Sequence, residues 1–148
     1  MMKYVHTNLI AKDWRKLSDF YKTVFGCKPI GPQRDLRGQW LGDMTGIKDA
    51  HIEGEHLLLP GVSDNGPTLE IFSYPEIIDS DKAVNACGFA HIAFEVDDIE
   101  NIMNLVAQEG GSVLGQVVSN DYGDFGIGTF VYVKDPEGNL IELQRWER

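Results

Sequence analysis

The sequence has few cysteines, few basic residues and no long apolar stretch, and each of these absences excludes a class of protein. Its 148 residues contain two cysteines, Cys27 and Cys87. Two are too few for a disulfide framework and are typical of a reducing compartment, so we expect a cytoplasmic location. No neighbouring residue marks either thiol as a nucleophile, and we expect Cys27 to be a small buried residue.

Basic residues are outnumbered, because Lys and Arg total 13 against 23 Asp and Glu, which leaves a formal net charge of −10. Proteins that bind nucleic acid gain affinity from clustered Lys and Arg, so we expect no nucleic-acid partner. No run approaches the roughly 20 apolar residues that a membrane-spanning helix needs. The first residues show neither the apolar segment nor the cleavage site of a secretory signal, and we expect no membrane association.

The chain begins with the pattern of a strand followed by a helix. A run of alternating character over residues 3–9 precedes Asp13, which can cap a helix. Apolar residues then recur at helical spacing as far as Gly26, which closes the helix as a C-terminal cap. A second strand-like run, over residues 89–96, starts the same pattern again. The two runs therefore predict two equivalent strand–helix units.

The second helix follows Asp97 or Asp98, either of which can cap it. If Asp97 is the cap, Glu100 completes a capping box. His6 and His91 stand at matching places in the two segments, each seven residues before an Asp and twenty before a Gly. Equal spacing over this length predicts an internal repeat.

Three strand patterns follow each helix, and Asp135-Pro136-Glu137-Gly138 is a strong turn signal before the last of them. The predicted strands cover about residues 27–34, 50–59 and 68–74 in the first half, and 112–119, 127–134 and 139–145 in the second. The sequence thus predicts an α+β fold, with one domain over residues 1–148. Its two βαβββ modules cover about 1–75 and 87–148, joined by a connector over 76–86, and they form a curved mixed sheet.

Two segments interrupt the repeat. Residues 35–49 carry Trp40 and have room for one short helix, whereas residues 120–126 form a glycine-rich loop with Tyr122 and Phe125. Each segment can be a substrate-contacting loop or an ordinary surface connection. We take Trp40, Tyr122 and Phe125 as candidate substrate-binding residues.

Alternation along the strands places four polar residues on one kind of face. In the run over 89–96 the set containing Ile92 and Phe94 is wholly apolar and should pack on the helices, which leaves His91 on the opposite face. The same reasoning applies to the other three residues, so each half offers a His on its first strand and a Glu on its last. The predicted metal ligands are His6, Glu70, His91 and Glu142.

Imidazoles and carboxylates on an otherwise apolar face are costly unless they are paired or bound to a cation. We therefore predict that the sheet surrounds a cleft with one divalent metal ion, for which Zn, Ni, Co, Mn and Fe(II) are all suitable. His51 and His56 lie outside the repeated positions, and we expect both to be ordinary structural histidines.

Several fragments in order along the chain carry a family resemblance. They are His6-Thr7-Asn8, Leu69-Glu70-Ile71, Gly88-Phe89-Ala90-His91-Ile92 and the run from Asp135 to Leu143. Together with the paired βαβββ pattern, they resemble the vicinal oxygen chelate superfamily over nearly the whole chain. The ligand set His, Glu, His, Glu resembles that of glyoxalase I.

This resemblance implies a metal-dependent lyase or isomerase that acts on a small oxygen-chelating substrate. The metal would act as a Lewis acid, making a proton next to a carbonyl easier to remove and stabilising the resulting enediolate. By resemblance, Glu142 is the base and Glu70 a possible second base. Members of the family are often homodimers, in some of which the metal site is shared between subunits.

Three alternatives stay open. Methylmalonyl-CoA epimerases usually have Gln where this chain has Glu70, and extradiol dioxygenases use only the equivalents of His6, His91 and Glu142 to hold Fe(II). Bleomycin-resistance proteins bind a drug without metal and usually lack the four ligands. The glutathione-dependent enzymes commonly have an Arg where this chain has Ile10. Either of two other arginines, Arg34 and Arg37, can provide an anion contact or be simply solvent-exposed.

Overall fold

The computed structural model describes residues 1–148 and has an α+β fold, as predicted. The chain divides into two compact units, Met1–Asp79 and Ser80–Arg148. The first contains β1 (His6–Ile10), α1 (Trp14–Phe25), β2 (Lys28–Arg37), α2 (Gln39–Thr45), β3 (His51–Leu58) and β4 (Thr68–Ser73). The second contains β5 (His91–Glu95), α3 (Ile99–Gln108), β6 (Ser112–Asp121), β7 (Ile127–Lys134) and β8 (Leu140–Glu147).

Each unit contains one four-stranded mixed sheet. The strand order is β1-β4-β3-β2 in the first unit and β5-β8-β7-β6 in the second. In both, the first strand runs parallel to the last, whereas the remaining neighbours are antiparallel. The repeated βαβββ pattern is therefore confirmed, with the strands divided between two sheets.

The first helix has the predicted ends. The Asp13 side chain accepts a hydrogen bond from the backbone N–H of Lys16 at 3.1 Å, which satisfies a donor at the helix start. Gly26 has φ 66° and ends the helix in the left-handed conformation that favours glycine. Leu17 and Phe20 are almost completely buried on the inner side of the helix.

The second long helix differs from one expectation. Its N-cap is Asp98, whose side chain accepts from the backbone N–H of Asn101 at 3.0 Å. Asn101 therefore occupies the position that a capping box requires for Glu or Gln, so the capping box proposed for Asp97 and Glu100 is wrong.

The edge strands β2 and β6 are longer than predicted. Their pairing shifts register between Ile30 and Arg34 in the first unit and between Leu114 and Val118 in the second. Each irregularity contains a glycine with positive φ, Gly31 or Gly115. The extra residues at each irregularity break the alternation of side chains along the strand.

The short helix predicted within residues 35–49 is present as α2. Its Leu41 is fully buried and belongs to an apolar cluster with Ala50, Ile52 and Phe72. This helix therefore covers one end of the first sheet. None of the three α-helices is both long enough and apolar enough to cross a membrane.

The two faces of the first sheet have different roles. Fully buried Ile71 on β4 pairs with Glu55 on β3, and Glu55 is contacted by Ser18 and Lys22 of α1. α1 covers this face, hereafter the helix-covered face, whereas α2 packs on Ile52 and Phe72 at one end of the other face. Glu70 precedes Ile71 on β4, so its side chain points to the other face.

Candidate metal centre

The first unit brings His6 and Glu70 together. Asn8 of β1 is the parallel partner of Glu70 on β4, so His6, two residues earlier, lies on the same face. His6 Nε2 is 3.1 Å from Glu70 Oε2, and the Asn8 amide donates to the same oxygen at 3.4 Å. The carboxylate side chain is 14% exposed and the imidazole 39% exposed, so solvent reaches the pair from the histidine side.

The second unit repeats this arrangement with His91 and Glu142. Ala93 of β5 is the parallel partner of Glu142 on β8, and His91 again lies two residues earlier. His91 Nε2 is 3.6 Å from Glu142 Oε2, with the imidazole 32% exposed and the carboxylate 17% exposed. The two pairs therefore have matching strands, register and burial.

A third side chain contacts Glu70, and sequence reasoning missed it. His56 of β3 is the antiparallel partner of Glu70, and its Nε2 is 3.1 Å from Glu70 Oε1. Burial lowers the pKa of His56, and the positive charge of Arg34 lowers it further, although the negative charge of Glu70 opposes both effects. His56 thus favours the neutral form, and it contacts Glu70 although it lies outside the repeated positions.

The equivalent position in the second unit carries a tyrosine. Tyr132 of β7 is the antiparallel partner of Glu142, and its ring centroid is 5.1 Å from that of His91. Burial raises the pKa of Tyr132, and the charge of Glu142, to which Tyr132 hydrogen-bonds, raises it further. The Gln144 amide donates to Glu142 Oε1 at 2.6 Å. His56 and Tyr132 share a position that no repeated sequence motif marks, so only the strand register could have found them.

The candidate substrate-binding residues are all partly or largely exposed. Trp40 lies on α2 with 53% of its surface exposed, and Phe125 lies in a short 3₁₀ turn at 78%. Tyr122 has clearer neighbours, because its ring centroid is 5.3 Å from that of Trp146 and 6.0 Å from that of Phe130. Trp146 alternates in phase with Glu142 along β8, so this aromatic cluster extends the face that carries Glu142.

The two arginines considered as anion contacts differ. Arg37 is bound to Asp35, with nitrogen–oxygen distances of 3.1 and 3.2 Å. Arg34 of β2 is the antiparallel partner of Gly54, which alternates in phase with His56, so Arg34 lies on the face that carries Glu70, and its charge acts on His56. Arg34 is therefore the better candidate for contact with an anionic substrate.

A second group of possible cation ligands lies on the first sheet. Asp35, His51 and Glu53 each offer one ligand atom within 4.8 Å of the others, and His51 Nε2 is 2.8 Å from Asp35 Oδ1. His51 and Glu53 alternate in phase with Glu55, so they belong to the helix-covered face and not to the face of Glu70. Arg37 already provides a positive charge to this group.

The His–Glu pairs suit a divalent metal ion. Neighbouring nitrogen and oxygen ligands bound to one ion at about 2.1 Å lie roughly 3 Å apart, close to the 3.1 Å and 3.6 Å measured within the pairs. Imidazole nitrogen with carboxylate oxygen is the donor combination typical of first-row transition metals. The chemistry of the donors and their access to solvent therefore both fit such an ion.

Two relatives align with nearly the whole chain. Uncharacterized protein YaeR of Escherichia coli strain K12 is 26% identical over 139 residues, which cover 93% of this chain and 92% of the relative. Lactoylglutathione lyase of Neisseria meningitidis serogroup A is 25% identical over 142 residues, which cover 96% of this chain and 89% of the relative.

Solved structures share the fold. A glyoxalase family protein from Bacillus cereus has a TM-score of 0.77 at 22% identity, covering 99% of this chain and 94% of that one. The fosfomycin resistance protein FosX from Listeria monocytogenes, solved with Mn(II) and sulfate, has a TM-score of 0.57 at 16% identity, covering 99% and 93%. The family described as Glyoxalase/Bleomycin resistance protein/Dioxygenase superfamily matches residues 3–143, so this chain belongs to that superfamily, the vicinal oxygen chelate superfamily of the sequence analysis.

Proposed function

We propose that the protein is a metal-dependent lyase or isomerase of the glyoxalase I type. In this proposal His6, Glu70, His91 and Glu142 are the ligands of one divalent ion, held by one chain or shared between the subunits of a dimer. The observation that carries the proposal is the repeated His–Glu pair, which has the same parallel register in both units. A pair that served only packing in one unit would have no reason to recur in the other.

The two carboxylates would then differ in their tasks. When bound, the ion would supply Lewis acidity that makes a proton beside a substrate carbonyl easier to remove. Glu142 would accept that proton, because it is 17% exposed and hydrogen-bonded by Gln144 and Tyr132, which orient it. Glu70 would serve as the second base.

The proposed substrate is small, has adjacent oxygen atoms and carries an anionic group. Arg34 near His56 supports the anionic group, whereas Ile10 offers no charge at the place where glutathione-dependent enzymes commonly have Arg. The aromatic cluster of Tyr122, Phe130 and Trp146 supports an apolar portion of the substrate beside Glu142. We further propose that the protein is cytoplasmic and forms a homodimer, as relatives often do.

Metal content is the first test. Purified protein should bind about one equivalent of Co(II), Ni(II), Zn(II), Mn(II) or Fe(II), and His6→Ala and His91→Ala should each lose that binding. His51→Ala is the matched control, because His51 interacts with Asp35 on the other face of the sheet and should keep full metal content. Stoichiometric metal in both His6→Ala and His91→Ala would refute the ligand assignment.

Activity then identifies the reaction. The metal-loaded protein should act on methylglyoxal with glutathione or another thiol, and Glu142→Gln should reduce kcat by at least about 100-fold while the far-UV circular dichroism is unchanged. Turnover of methylmalonyl-CoA, or of a catechol in air, would instead assign epimerase or dioxygenase chemistry. Stoichiometric binding of a drug without metal would place the protein among the resistance proteins.

A further inference from the structure

The two oxygens of each candidate metal carboxylate contact different side chains. In the first unit Glu70 Oε2 faces His6 and Oε1 faces His56, both at 3.1 Å. In the second unit Glu142 Oε2 faces His91 at 3.6 Å, and Oε1 accepts from Gln144 at 2.6 Å. The same oxygen of each carboxylate therefore faces the proposed ligand histidine, and the other oxygen faces a different residue.

We infer that His56 is a positioning residue, which donates a hydrogen bond to Glu70 Oε1 and so directs Oε2 toward the metal. The inference rests on the proposed function, because it concerns the same metal centre. It assigns different roles to two histidines that both contact Glu70. His6 binds the ion, whereas His56 acts only through Glu70.

The hydrogen bonds around His56 determine which nitrogen carries its proton. Nδ1 lies 3.4 Å from the Thr68 hydroxyl oxygen, and Nε2 lies 3.1 Å from the Glu70 carboxylate. A carboxylate only accepts hydrogen bonds, so an Nε2 without a proton would face it lone pair to lone pair. A hydroxyl can donate to Nδ1, which leaves the proton on Nε2, where Glu70 accepts it. The contact of His6 with Glu70 has the same length, so the repeat separates the two histidines: His91 matches His6 in the second unit, whereas Tyr132 stands at the place of His56.

The ring of His56 is also held in place by packing. Its side chain is 19% exposed, and its ring meets that of the buried Phe72 edge to face at 5.7 Å between centroids. Because His56 stands on β3 and Glu70 on β4, the hydrogen bond joins two paired strands. Gln144, by comparison, lies on the same strand as Glu142 and is fixed by the Trp146 N–H at 3.0 Å. Glu70 is thus oriented from β3 by His56, whereas Glu142 is oriented from within β8 by Gln144 and from β7 by Tyr132.

The test compares His56→Phe and His56→Gln with His51→Phe. Phenylalanine keeps a flat ring but cannot donate, glutamine restores an N–H donor, and His51→Phe removes an imidazole from the same strand but from the opposite face. Co(II) affinity would be measured by competition with a chelator, together with the visible spectrum of the Co(II) protein. We expect His56→Phe to weaken affinity by about 10- to 100-fold and to change the spectrum, because outer hydrogen bonds of metal ligands have effects of this size. His56→Gln should recover most of the affinity, and His51→Phe should match the wild type.

Nitrogen-15 NMR of the metal-free wild type gives a readout that needs neither activity nor a variant. It should show the His56 proton on Nε2. A proton on Nδ1, or wild-type Co(II) affinity and spectrum in His56→Phe, would overturn the positioning role while leaving the proposed function in place. Failure of the wild type to bind Co(II) would instead overturn the proposed function, and the positioning role with it.

Discussion

Glu55→Ala should destabilise the protein without changing the candidate metal centre, although Glu55 is next to His56. The Glu55 side chain is 7% exposed and accepts from the hydroxyl of Ser18, which is completely buried. The ammonium group of Lys22 lies 2.5 Å from the same carboxylate. All three groups lie on the helix-covered face, whereas His56 points to the other face.

The expected loss of stability follows from the two groups, Ser18 and Lys22, that lose a partner when Glu55 is replaced by alanine. The Ser18 hydroxyl loses its acceptor inside the core, which costs about 1–3 kcal/mol. Lys22 is 30% exposed and lies 3.5 Å from Asp19, so its ammonium stays solvated and adds at most about 1 kcal/mol. We therefore expect the free energy of unfolding to fall by about 2–3 kcal/mol, below the loss seen when a fully buried charge is left unpaired.

Urea unfolding of the metal-free protein, followed both by circular dichroism and by tryptophan fluorescence, would measure this loss and check that the transition is two-state. Glu53→Ala is the matched control, since Glu53 lies on the same face of β3 but is only partly buried, and it should lose less than about 1 kcal/mol. Co(II) affinity should be unchanged in both variants. A loss below about 1 kcal/mol in Glu55→Ala would refute the burial argument, and a tenfold weaker affinity would refute the separation of the two faces.

Two further predictions concern stability and thiol chemistry. A Cβ at Gly54 would lie 2.0 Å from the carbonyl oxygen of Ile71, so Gly54→Ala should lower the free energy of unfolding by at least about 2 kcal/mol. Gly26→Ala is the comparison, because a Cβ there has no atom within 4 Å and is disfavoured only by the positive φ, so the free energy of unfolding should fall by about 1 kcal/mol. Equal losses of the two variants in denaturant unfolding would contradict the predicted clash at Gly54. Cys87 is exposed and should react with a thiol reagent at once, whereas Cys27 should react only on unfolding, because burial raises its pKa from 9.0 to about 12. The thiol of the unfolded chain ionises at a lower pH than the buried thiol, so the free energy of unfolding should decline as the pH rises above about 9. Cys27→Ala should remove this part of the pH dependence, and an unchanged pH dependence in that variant would contradict the raised pKa of Cys27.

Much of the fold could be predicted because its signals are local. Asp13 and Gly26 mark the ends of α1 by their own chemistry, and the bounds of β7, Ile127–Lys134, were predicted without error. In the first sheet, the alternation along β4 also indicated which face α1 covers. The choice between Asp97 and Asp98 as a cap was ambiguous, because two adjacent carboxylates fit the same pattern.

The neighbours of the candidate site were harder to predict because they depend on contacts distant in sequence. His56 and Tyr132 belong to the site only through their cross-strand partners Glu70 and Glu142. A sequence shows which residues share a strand face, but it does not show which residues of two strands stand opposite one another. The irregularity near Gly31 adds to this difficulty, because it changes the register that simple counting would assume.

The parallel pairing of the first strand with the last in each unit determines where the chain can tolerate insertions and deletions. Because His6 and Glu70 meet through the register of β1 on β4, the length of chain between them does not affect their distance. The first unit accommodates α2 and a long connection after β3, and the second has neither, yet His91 meets Glu142 in the same way. Insertions in those connections can thus reshape the surroundings of the candidate metal centre while the two His–Glu pairs stay in place. A deletion of one residue inside β1 or β5, in contrast, would turn the imidazole of His6 or His91 to the opposite face of its sheet and separate it from its glutamate.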